Sequence, residues 1–81
     1  MKRHVRARLV EITGWTPEGA EPDPGPLPFD YDFDLVCDGD DPPLAWYHRE
    51  IRDRLLDEYA CQFVPPNHAV PSDCAFEWKV D

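Results

Sequence analysis

The chain has 81 residues, enough for one domain, residues 1–81, with one modest core. Hydrophobic residues make up 42% and aromatic residues 12%, so this is a folding sequence and not a disordered acidic tail, despite a formal net charge of −9. That charge repels nucleic acid and anionic membrane alike, which excludes both as direct ligands and points to a basic protein partner or to solubility alone.

Three cysteines, odd in number and far apart, do not form a secreted disulfide framework. The basic N-terminal stretch is followed by no apolar h-region, and no apolar run approaches the roughly 20 residues of a membrane span. A cytoplasmic location is the expectation. The charge is unevenly spread: Lys2, Arg3, Arg6 and Arg8 precede residues 13–41, which carry nine carboxylates and neither Lys nor Arg.

Residues 4–12 alternate as a strand, with Val5, Ala7 and Leu9 on one face and His4, Arg6 and Arg8 on the other. The phase slips at Leu9-Val10, the mark of a bulge, and puts Val10 and Ile12 on the opposite face. Gly14–Pro28 is a long connection in which Pro17, Pro22, Pro24, Pro26 and Pro28 exclude helix and regular pairing. Its composition favours a stiff, extended chain. Trp15, at its start, either packs on the prolines or anchors a partner.

Phe29–Leu35 alternates apolar with acidic residues. Phe29, Tyr31, Phe33 and Leu35 point inward, and Asp30, Asp32 and Asp34 form an outward row spaced about 6.6 Å apart. Antiparallel pairing with the first strand sets Arg6 and Arg8 opposite those aspartates, where each pair contributes about 0.2–1 kcal/mol. Cys37-Asp38-Gly39-Asp40-Asp41-Pro42-Pro43 then leads into a helix, with Asp40 or Asp41 as the expected N-cap.

Leu44–Phe63 is the helix, its stripe formed by Leu44, Tyr47, Ile51, Leu55 and Tyr59. Arg49–Asp53, Glu50–Arg54 and Arg54–Glu58 are spaced to pair on the wet side. Trp46 either covers the helix start or is exposed. After a return loop over 64–73, residues 74–81 alternate with Phe76, Trp78 and Val80 inward. The fold class is therefore α+β: β-β-α-β order, a three-stranded antiparallel sheet, and one amphipathic helix packed on one face.

No glycine-rich phosphate loop and no nucleophile elbow is present, so the chain is read as a non-enzyme with no cofactor. Cys37, Cys61, His68 and Cys74 form a chemically sound Cys3His zinc set, but they lack the short chelating spacings of such sites. The aspartate row admits two readings. It is a solvated face partly paired with Arg6 and Arg8, or it imitates the roughly 6–7 Å spacing of phosphates along a nucleic-acid strand, extended by Asp38, Asp40 and Asp41.

Small size, strong acidity and the β-β-α-β order resemble the small phage-encoded inhibitors of bacterial defence nucleases, the anti-CRISPR proteins. Asp38-Gly39-Asp40-Asp41, Trp46 and Cys74 before Phe76-Glu77 are similar to scattered positions of one type that binds a Cas9 nuclease domain. The resemblance covers the C-terminal half and carries over no site residues. It implies a cytoplasmic, non-catalytic protein that blocks a larger protein with a basic surface, such as a CRISPR effector nuclease. The candidate partner-binding residues are Asp30, Asp32, Asp34, Asp38, Asp40 and Asp41, with Trp15 and Trp46 as apolar anchors. The alternatives are an accessory subunit of a complex and a small zinc-binding domain.

Overall fold

A computed structural model of the chain describes residues 2–17, 25–37, 39, 41–64 and 69–81. Asp38, Asp40 and His68, and much of the proline-rich connection, lie outside the described residues. The two-residue alternation produces β1 (Lys2–Thr16), β2 (Phe29–Val36) and β3 (Val70–Val80), and the 3.6-residue stripe produces α1 (Leu44–Phe63). The strands form one antiparallel sheet in the order β2-β1-β3, so the first strand is central and both others are edges. The fold is α+β, as the sequence predicts.

The core is the seam between one face of the sheet and the apolar stripe of α1. Val5, Ala7 and Leu9 of β1 and Phe33 and Leu35 of β2 meet Tyr47, Ile51, Leu55 and Tyr59 of α1, all buried. Burying aliphatic side chains of this size contributes about 1.5–3 kcal/mol each. The other sheet face has no covering layer among the described residues. No helix is long and apolar enough to cross a membrane.

The expected bulge is present, while the face of Ile12 and two strand boundaries differ from the sequence pattern. The register shifts between Leu9 and Glu11, so Val10 is the extra residue of a bulge. The bulge turns Val10 outward and returns Ile12 to the core side, where it packs against the cluster and does not continue on the outer face. β1 then runs on to Thr16, and β3 starts at Val70, not Cys74, because Trp15 pairs with Pro71 and Thr16 with Val70. A proline is tolerated there because β3 is an edge strand and the ladder already shifts register beside Trp15.

The helix start also departs from expectation. Pro43 is the N-cap and no side chain caps the helix. Its carbonyl accepts from the N–H groups of Trp46 and Tyr47 at 3.0 and 3.4 Å. Asp41, expected as the cap, is drawn away to the guanidinium of Arg3. On the wet side the predicted four-residue pairs give way to closer ones. Arg49 meets Glu50 at 3.9 Å and Arg52 meets Asp53 at 3.4 Å. Arg54 instead lies 5.3 Å from the centre of the Phe33 ring, a cation–π contact across to β2.

α1 packs chiefly over β3 and β1. Tyr47 stacks on Trp78 with centroids 6.0 Å apart, and His48 lies 4.7 Å from Phe76. Only the C-terminal turns of the helix reach the start of β2, where Phe29 meets Tyr59 and Phe63 edge-on at 5.8 and 5.6 Å. This offset leaves a flank of β2 beside the helix and not beneath it.

Candidate protein-binding surface

The ladder between β1 and β2 sets His4 opposite Asp34, Arg6 opposite Asp32 and Arg8 opposite Asp30. Two of the three outward aspartates therefore find cations. Arg8 Nε donates to Asp30 Oδ1 at 2.7 Å. His4 Nδ1 donates to Asp34 Oδ1 at 3.0 Å, and Lys2 Nζ stands 3.8 Å from Asp34 Oδ2. The His4 hydrogen bond, helped by the charge of Lys2, holds the Asp34 carboxyl below the usual carboxylate range. Arg6 turns away from Asp32 and reaches Asp81 Oδ2 at 3.3 Å. Asp32 alone of the row makes no ion pair among the described residues.

The outer sheet face is thus a checkerboard. Lys2, Arg6, Arg8 and Lys79 stand among Asp30, Asp32, Asp34, Glu77 and Asp81, and Glu11, opposite Ala75, adds a further carboxylate along the same face. A shallow depression of about 500 Å³ lies among these charges. A run of phosphates has no interleaved cations, so this face does not reproduce a nucleic-acid strand. Of the pairs with Arg6 and Arg8 expected from the sequence, Arg8–Asp30 is found, whereas Arg6 takes Asp81 and Asp34 is held by His4 and Lys2.

The remaining candidates do not join this row into one surface. Asp41 is engaged with Arg3, and Asp38 and Asp40 fall outside the described residues. Trp15 and Trp46 are both half-buried against the core, Trp46 edge-on to Tyr47 at 5.2 Å. Trp15 pairs with Pro71 while Trp46 sits at the Trp78 end of β3, roughly 20 Å away along the strand.

The cysteines are likewise dispersed. Cys37 is buried against the Tyr47 hydroxyl, 3.8 Å away, near the start of α1. Cys61 is exposed near the end of α1, about 20 Å from Tyr47 by helical rise. Cys74 is half-buried in β3, and burial, with the charge of Asp73 beside it, pushes its thiol up to about 11. His68 lies outside the described residues, and among those described no group of three metal-ligating side chains converges.

A different surface emerges on the flank of β2. Phe29, Tyr31 and Phe33 stack in a ladder, with centroids 6.2 and 5.4 Å apart. Phe33 is buried, but Phe29 and Tyr31 are only half-covered. Beside the same strand lies a groove of about 380 Å³, floored by Leu35 and rimmed by Glu50, Asp53, Arg54 and Asp57 of α1. Glu50, Asp53 and Asp57 share one helix face by their spacing of three and four, a signal present in the sequence but assigned there to pairs with arginine. Half-exposure of the aromatics has no such signal, because it follows from where the helix lands on the sheet. Comparison with known protein families, curated proteins and solved structures finds no match to this chain.

Proposed function

We propose that the chain is a non-catalytic binding protein that inhibits a larger partner with a basic surface, a nucleic-acid enzyme such as a CRISPR effector nuclease being the class it suits. The observation that carries this reading is the β2 flank. Half-covered aromatic rings lie beside a groove rimmed by Glu50, Asp53, Asp57 and Arg54, and Asp32 on the same strand makes no ion pair among the described residues. Aromatic contact area supplies affinity, and the carboxylates supply orientation and rate of encounter with a cationic surface. Inhibition then follows from occupying the basic channel of the enzyme, without imitation of a phosphate row, since cations are interleaved with the carboxylates of the outer sheet face.

The test is capture of host proteins on the immobilised full chain at low and high salt, followed by assay of the captured enzyme on nucleic acid. A basic nucleic-acid enzyme that is retained at low salt, released by salt and slowed by added chain is the expected result. Asp32→Lys combined with Asp57→Lys should weaken retention by about tenfold or more, because both reversals repel a cationic partner. A partner held equally at all salt concentrations overturns the reading. It would favour an accessory subunit held by apolar contact, for which Val36 and Leu44, 71% and 74% exposed, are the available anchors.

A further inference from the structure

The sheet has two edges, and they are not equivalent. The first half of β3 is blunted against strand addition. Pro71 has no N–H to offer, and the N–H of Cys74 already donates to Asp73 Oδ1 at 2.8 Å. β2 carries no proline, and residues 29–36 make no backbone hydrogen bond other than their ladder with β1 among the described residues. About half the N–H and C=O groups of this strand therefore point away from the sheet unpaired. Free edges of this kind are templates for another chain.

We infer that β2 is a receptor edge that accepts one added strand from a basic, extended segment of the partner. This rests on the proposed function in taking the partner to be cationic. Side chains of an added strand would alternate between the two faces. On the outer face they would lie beside Asp30, Asp32 and Asp34. Asp32 is unpaired there, and the other two carboxylates retain lone pairs beyond those used by Arg8 and His4. On the inner face they would cover Phe29 and Tyr31 and enter the groove rimmed by Glu50, Asp53, Arg54 and Asp57, of whose acids Asp57 alone makes no ion pair among the described residues. Lysine or arginine alternating with β-branched residues suits both faces.

The same charges exclude the commonest competitor, a second copy of this chain. Pairing β2 with β2 sets one aspartate row against another, and like charges directly opposite are destabilising. The acidic row therefore keeps the edge from self-association while leaving it open to a cationic strand.

The probe is a peptide of about eight residues, the length of β2, alternating Lys with Val. Its control carries the same sequence with N-methyl groups on the edge that would pair. The full chain is titrated with each at low salt, and amide hydrogen exchange is followed. The parent peptide should slow exchange within residues 29–36 and bind at least about tenfold more tightly than the methylated one, since several backbone hydrogen bonds distinguish them. Asp32→Lys, checked for an unchanged circular dichroism spectrum, should weaken the parent peptide by about tenfold. Equal binding of the two peptides overturns strand addition and leaves the basic-partner reading standing. Binding of neither at low salt overturns both. A concentration-dependent dimer protected over residues 29–36 overturns the choice of occupant.

Discussion

Gly25 and Tyr59 show how little slack the core has at single residues. The Tyr59 hydroxyl is buried with no hydrogen-bond partner among the described residues, and a Cβ added at Gly25 would lie 2.9 Å from it and 2.9 Å from Phe63 Cβ. Tyr59→Phe should leave stability unchanged or raise it by up to about 1 kcal/mol, because it removes an unsatisfied polar atom. Gly25→Ala should lower it by about 1–3 kcal/mol through overpacking. Urea unfolding of the two variants checks both signs. Asp34 supplies a pH signature. Its folded pKa lies below the unfolded value, so its contribution is full above about pH 4 and is lost as pH falls through the folded value. Asp34→Asn should lower stability slightly across the neutral range, where that contribution is present, and leave it unchanged at the acid end, so that the acid limb flattens. The thiols should separate by reactivity. Exposed Cys61 alkylates first, Cys74 is slowed by a pKa near 11, and buried Cys37 reacts on unfolding. Peptide mapping by mass spectrometry reads that order.

At the scale of elements, α1 starts without a side-chain cap, and its first turn holds no acidic residue. Pro43→Ser should supply a hydroxyl for the open N–H groups and stabilise the protein by about 0.5–1 kcal/mol, measurable by thermal unfolding. The competition that removed Asp41 from this role is long-range, since Arg3 is distant in sequence, and no local pattern reveals it. The extent of β1 and β3 was hidden for a related reason. Gly14 and Pro71 read locally as breakers, yet pairing between Trp15–Thr16 and Val70–Pro71 extends both strands past them. By contrast the helix boundaries, the inward residues of β2 and the Arg8–Asp30 pairing were legible, because each follows from a period of 2 or 3.6. The receptor flank was not, because it depends on which strands the helix covers. That is a packing choice no period encodes.

For the whole molecule, the carboxylates of the open sheet face are interleaved with cations, and a share of the acidity lies elsewhere. Glu18, Glu21, Asp23, Asp38 and Asp40 carry five of the negative charges in two connecting segments. Reversing charges there should lower the rate of association with a cationic partner more than it changes the rate of dissociation, since charge steers encounter at long range. Stopped-flow mixing with the captured partner distinguishes the two. The central place of β1 has a further consequence, for biosynthesis. Val5 leaves the ribosome early, but its neighbour Val80 is made 75 positions later. The β1–β3 ladder cannot form until β3 has been made, so over that interval this side of β1 stands as an open edge to any other strand.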